Sequence, residues 1–251
     1  MKRTTGIEWT DVTWNPMTGC TEISAGCEHC YAASVARTRL DTIYRQQTPV
    51  RDTPRNRADP FAPRFWPDRL RLPTSWRAPR RVFVNSMSDV FHAHFPESQI
   101  RQVWEAMVAA PQHQFQVLTK RPERARRLAT LLAWPSHIWL GVSVEHEDTA
   151  RRIDLLREIP AAVRFVSAEP LLGPLDAVDF RGIDWVIGGG ESGPGARPVS
   201  LEWARGLRDG VKRAGAAFFW KQWGGAHPKA GGRLLDGVEW NEYPAPTLSD
   251  V

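Results

Sequence analysis

Three cysteines, Cys20, Cys27 and Cys30, fall within eleven residues of a 251-residue chain that contains no others. An odd count without a secretory leader argues against a disulfide framework, and tight clustering argues for a metal or redox centre. Six residues separate the first two cysteines and two separate the last two. Three thiolates can hold three irons of a [4Fe–4S] cluster and leave the fourth open to bind and reduce a small molecule. Structural zinc usually takes four closed ligands. His29, His92 or His94 could supply the fourth, so a zinc site is an alternative. Gly19 and Gly26 mark a tight loop rather than three thiols packed in a core.

Such a loop needs elements to hold it. Apolar runs rich in β-branched and aromatic residues lie at 82–86, 115–119, 138–144, 163–167, 184–187 and 216–221. They read as strands buried on both faces. Helical spacing fills 96–110, 121–133, 147–158 and 200–214, the last opening on Ser200, a residue type that favours the N-cap. With a first strand at 8–14, the alternation predicts an α/β fold. It is a partial (β/α) TIM-like barrel of six to seven mainly parallel strands. Residues 1–224 form the expected domain, and 225–251, rich in Gly and Pro, form a C-terminal tail. Within the domain, 48–81 is expected to be an irregular basic insertion. Its prolines, Pro49, Pro54, Pro60, Pro63, Pro67, Pro73 and Pro79, oppose regular helix.

In parallel α/β folds the site lies beyond the carboxyl ends of the strands. Polar residues stand at those exits: Ser86, Ser88, Asp89 and His92; Thr119, Lys120 and Arg121; Ser143 and Glu145; Ser167 and Glu169; Glu191; Lys221 and Gln222. Turns and helix caps account for some of them, but several carboxylates and cations converging on one rim go beyond that. Lys120, Arg121 and Lys221 could neutralise a bound carboxylate or phosphate, or pair with the glutamates. Gly188–Gly190 departs from the dinucleotide fingerprint and reads as a turn.

Charge is uneven. Residues 37–81 hold 12 Arg and no Lys against 4 Asp, a local +8, while the remainder, with 21 basic and 24 acidic residues, carries −3. A patch of this kind can hold a polyanion such as nucleic acid. Trp66 and Trp76 in the same segment could stack on bases, or pin the insertion to the barrel. An apolar share of 42% excludes a disordered or fibrous chain. No apolar run approaches the roughly 18 residues of a spanning helix. The basic start is not followed by an apolar stretch, so a cytoplasmic protein without a membrane partner is expected.

The cysteine loop lies in a longer context: Ile7-Glu8-Trp9-Thr10-Asp11, Trp14-Asn15-Pro16, Gly19-Cys20, Gly26-Cys27 and Cys30-Tyr31-Ala32. With Val82 to His92, Gly141 to Glu145, Arg164 to Leu172, Trp185 to Gly193 and Lys221 to Gly224, the sequence resembles the phage-type, three-Cys-motif radical SAM proteins. That family is found in phages and bacterial genomes. The resemblance implies that Cys20, Cys27 and Cys30 bind a [4Fe–4S] cluster whose open iron chelates S-adenosylmethionine. Reductive cleavage would then give a 5′-deoxyadenosyl radical that abstracts hydrogen from a substrate, expected to be a nucleic acid or nucleotide. It implies an electron donor of flavodoxin or ferredoxin type. His29, beside the last cysteine, would pack near the adenine. Ser86, Ser88 and Asp89 would meet the cofactor amino group. Ser143, Glu145, Glu169 and Glu191 would hold ribose, methionine or substrate polar groups. Two other functions suit the same cysteines: a zinc-stapled nucleic-acid-binding protein without catalysis, and an iron–sulfur redox sensor.

Overall fold

A computed structural model describes residues 5–227 and 230–244. Seven parallel strands form one sheet in chain order. They are β1 (Val12–Trp14), β2 (Arg81–Val84), β3 (Gln114–Thr119), β4 (Ile138–Ser143), β5 (Arg164–Ala168), β6 (Trp185–Gly189) and β7 (Ala217–Gln222). Parallel neighbours require crossover connections, and helices supply most of them. These are α1 (Tyr31–Thr38) after β1, α2 (Glu97–Val108) after β2, α3 (Pro122–Leu128) after β3, α4 (Arg151–Arg157) after β4 and α5 (Leu201–Arg213) after β6. The sheet curls into a half-barrel, the partial TIM-like architecture that the alternation predicts.

Period-two alternation divides each strand between two cores. Val82, Val84, Val117, Leu140, Val166, Val186 and Phe218 pack with Ile100, Val103 and Met107 of α2 and Leu207 and Val211 of α5. The opposite residues, Trp139, Phe165, Trp185, Ile187 and Phe219, join Trp9 in a separate cluster that contains no helical residue. This second cluster therefore fills the concave side. Read toward the carboxyl ends, the concave face runs Trp139-Gly141-Ser143, Phe165-Ser167, Trp185-Ile187-Gly189 and Phe219-Lys221. Aromatic rings form a floor, and small and polar residues lie above it. Ser200 caps α5 by accepting from the Glu202 N–H at 3.1 Å.

Two expectations are corrected. The first strand shortens from 8–14 to Val12–Trp14, because Trp9 turns into the concave cluster. The insertion is not wholly irregular: it holds the short helices Pro54–Ala58 and Leu72–Ser75, the 3₁₀ turn Pro67–Arg71, and Arg64–Phe65 paired with Met17–Thr18. Pro54, Pro67 and Pro73 stand in first turns, where a missing N–H costs nothing, so they start turns instead of breaking helices. Thr53 caps Pro54–Ala58 by accepting from the Asn56 N–H at 3.2 Å. The indole of Trp66 donates to Thr18 Oγ1 at 2.8 Å, and Trp76 packs against the main core, so both rings anchor the insertion.

Beyond Gly224 the chain returns along the β7 edge. Trp220 N donates to Trp240 O at 3.0 Å and Glu242 N to Phe218 O at 3.1 Å. The Trp185 indole donates to Glu242 O at 2.9 Å. Among the described residues no helix is long and apolar enough to cross a membrane.

Candidate metal and cofactor site

The cysteine loop leaves the carboxyl end of β1 and lies on the turn that follows β2. Asn85 makes that turn in the left-handed region, φ 57°, which Asn tolerates better than most residues. Its N–H donates to Trp14 O at 2.8 Å, and its Oδ1 accepts from Met17 N at 3.3 Å. Asn15 Oδ1 accepts from Met87 N at 2.9 Å and from the Ser86 hydroxyl at 3.2 Å. Gly19 N donates to Met87 O at 2.9 Å, and the Ser88 hydroxyl donates to Gly19 O at 2.6 Å. Gly19 itself has φ +84°, and a Cβ there would lie 2.2 Å from Ala62 O, so only glycine fits. Cys20 N then donates to Phe61 O at 3.1 Å.

Ties to the exits of four strands hold the loop over the half-barrel. From β2, His92 Nε2 meets Thr21 Oγ1 at 2.9 Å. From β3, Arg121 donates to Thr21 O at 2.9 Å and reaches Cys20 Sγ at 3.5 Å. From β4, Glu145 Oε1 accepts from the Ser24 hydroxyl at 2.9 Å. After β6, Glu191 Oε2 meets His29 Nδ1 at 2.9 Å, and Arg197 donates to Ala25 O at 3.0 Å and Glu28 Oε2 at 2.9 Å.

Every rim carboxylate in this set has a cation. Asp89 meets Arg121 at 3.0 Å and also accepts from Thr119 Oγ1 at 2.8 Å and Lys120 N at 3.0 Å. Glu145 lies between Lys120 and Arg152, the latter at 2.8 Å. Glu169 pairs with Lys221 at 2.8 Å and accepts from the Ser167 hydroxyl at 3.2 Å. Glu191 meets Arg197 at 2.6 Å. Burial alone would raise the Glu145 and Glu191 carboxyls. Lys120 and Arg152 outweigh it at Glu145, and the Arg197 hydrogen bonds hold Glu191 down at about 2. Both are anionic at neutral pH.

The three thiols are free and partly exposed. Cys20 and Cys30 pack on one small apolar cluster with Ala32, Ala36, Tyr44, Phe61 and Met87, and Cys20 senses the charge of Cys27. Burial pushes the Cys20 thiol up to about 12 against the pull of Arg121. Burial also opposes ionisation of Cys27, but Lys120 and the Ile23 and Ser24 hydrogen bonds bring it below the usual thiol value. Among the described residues no three His, Cys, Asp or Glu side chains converge on one point. Three free thiols on one open loop, with cations beside two of them, fit an anionic cluster with one open corner.

The structure brings His29, Glu145 and Glu191 to the loop, and keeps Glu169 with Lys221 on the concave side. Ser143 is buried, its carbonyl accepting from Arg152 at 2.7 Å. The side chains of Ser86, Ser88 and Asp89 are engaged by Asn15, Gly19 and Arg121. Arg152 and Arg197 escape a reading of strand exits. Arg152 sits in the first turn of α4, and Arg197 lies in a Gly/Pro segment, where no periodicity singles it out. The glycine turn after β6 serves a chain crossing: a Cβ on Gly190 would lie 2.0 Å from Trp223 O.

No curated protein sequence matches the chain. Among solved structures it is similar to "Spore photoproduct lyase complexed with dinucleoside spore photoproduct", with TM-score 0.50 and 10% identity over 84% of this chain. The match covers 65% of that protein, less than two thirds of its length. A second structure, of a point mutant of spore photoproduct lyase, aligns with TM-score 0.45 and 11% identity, covering 80% of this chain and 61% of the other. The first likeness shows the shared half-barrel fold. A family model matches residues 4–244, nearly the whole length, and the chain belongs to that family, described as "Protein of unknown function (DUF5131)".

Proposed function

We propose that the chain is a radical S-adenosylmethionine enzyme of the phage-type three-Cys-motif group, acting on a nucleic acid or nucleotide. The observation that carries the reading is the loop of three free thiols tied across the carboxyl ends of a parallel half-barrel. Ligand chemistry in such barrels lies at that end. The lyase of similar fold is described with a bound dinucleoside, and the basic insertion here suits the same class of substrate.

In this reading Cys20, Cys27 and Cys30 hold a [4Fe–4S] cluster. When bound, the cluster and S-adenosylmethionine supply one-electron cleavage and hydrogen abstraction. The chain positions and shields them. Arg121 beside Cys20 and Lys120 beside Cys27 offset thiolate charge. His29, Ser143, Glu145, Glu169 and Glu191 line the cofactor seat, while Ser86, Ser88 and Asp89 fix the loop that forms it. The aromatic floor excludes water from below. A flavodoxin- or ferredoxin-like protein supplies the electron.

The test is anaerobic reconstitution with iron and sulfide, followed by reductant and S-adenosylmethionine. We expect about four irons per chain and release of 5′-deoxyadenosine, both lost in a variant with Cys20, Cys27 and Cys30 changed to Ala. A full cluster with no cofactor cleavage in the presence or absence of oligonucleotide, or stoichiometric zinc in place of iron, would overturn the reading.

A further inference from the structure

The structure sorts the arginines of the basic insertion by what they touch. Arg45, Arg57 and Arg81 each pair with a carboxylate, on Asp41, Asp52 and Asp11. Arg69 donates to Asn15 O at 2.8 Å and lies 4.0 Å over Trp66, and Arg80 lies 5.2 Å over Trp76. Arg64 is fully buried. Its guanidinium donates to the carbonyls of Gln47, Asn56, Asp59 and Ala62 at 2.8–3.1 Å. Carbonyl dipoles satisfy its donors, and among the described residues no carboxylate pairs with it.

Arg51 and Arg55 differ from these. Both are exposed, and among the described residues neither guanidinium has an ion pair or hydrogen bond. Both line a cleft of about 400 Å³ whose other wall is Cys20, Thr21 and His94. Arg64 lies beneath its floor, bonded to the backbone of three lining residues. The lining carboxylate, Asp59, accepts from Phe61 N at 2.9 Å. The Nδ1 of His94 is buried and has no hydrogen-bond partner among the described residues. The cleft thus carries a net positive charge and opens directly on the cysteine loop. Its volume is within the range that holds a small ligand.

We propose that this cleft seats the phosphate group of one nucleotide unit of the substrate, held by Arg51 and Arg55, and so delivers that unit to the cysteine loop. A guanidinium presents paired N–H donors that match phosphate oxygens. Trp66 and Trp76 do not line the cleft, so base stacking on them is no part of it. The inference rests on the nucleotide-substrate reading above and narrows it from twelve arginines to two.

The experiment uses the full-length reconstituted protein without oxygen. Binding of a 5′-fluorescein single-stranded oligodeoxynucleotide is followed by anisotropy at several salt concentrations, with a nucleoside 5′-monophosphate as competitor. We expect Arg51→Ala/Arg55→Ala to weaken binding about tenfold and to flatten the log–log salt slope by about 0.7, the share of the one phosphate the two arginines hold. Arg71→Ala/Arg77→Ala, equally exposed in the same segment but outside the cleft, should stay within about twofold of wild type. Competition by the monophosphate marks a free nucleotide as the source of the phosphate; binding of the strand alone marks a polymer. No binding by wild type, or equal loss in both double variants, would overturn the proposal. Arginine-dependent binding without 5′-deoxyadenosine release would overturn the radical reading and leave the cleft standing. Release without binding would do the reverse.

Discussion

His92 shows how one buried ring couples the loop to pH. Its Nδ1 accepts from His94 N at 3.2 Å, so the neutral ring carries its proton on Nε2 and donates it to Thr21 Oγ1 at 2.9 Å. Burial, then the nearby Arg121 charge, lowers its pKa from 6.5 to about 4. The unfolded chain takes up this proton near 6.5 and the folded chain only near 4. The stability contributed by neutral His92 is therefore whole above pH 6.5 and is lost as the pH falls toward 4. The slope from this group approaches about 1.4 kcal/mol per pH unit. His92→Gln should flatten denaturant-measured stability between these limits even if it lowers stability at pH 7. A variant that kept the wild-type slope would show that another group sets it.

Among elements, the half-barrel was more legible than the site it carries. Strands β3 to β7 announce themselves as apolar β-branched and aromatic runs, and their order follows from the helices between them. Segment 48–81 was less legible, because proline density measures resistance to long helices and says nothing of short turns that begin on proline. The three cysteines were legible from clustering alone. Arg152 and Arg197 were not, since a cation that satisfies a distant carboxylate leaves no local pattern. Ser88 likewise leaves no local pattern: its hydroxyl grips the carbonyl of Gly19, sixty-nine residues away. That grip depends on a left-handed glycine, so Gly19→Ala should distort the loop while sparing the sheet. Iron incorporation should fall severalfold with the far-ultraviolet circular dichroism and unfolding midpoint little changed. A variant that took up iron normally would show that the loop tolerates a Cβ.

For the whole molecule, the two cores have different tasks. The outer one joins sheet to helices. The inner one lies inside the curl around Trp185, whose ring is within 5.2–6.2 Å of Trp9, Trp139, Phe165 and Tyr243. The returning chain seals it from outside, through the Trp185–Glu242 hydrogen bond. Trp185→Ala should lower stability by about 3–5 kcal/mol, as large buried aromatic truncations do, read as a shifted denaturation midpoint with unchanged slope. A change below about 1 kcal/mol would mean that the inner cluster adds little to folding. The closed floor also sets a sequence of events. A half-barrel filled by tryptophan and phenylalanine toward one end is left open toward the carboxyl ends of its strands, where the cysteine loop and the insertion stand. For anything that comes in from that end, depth becomes order of arrival: what sits lowest enters before what rests across the rim.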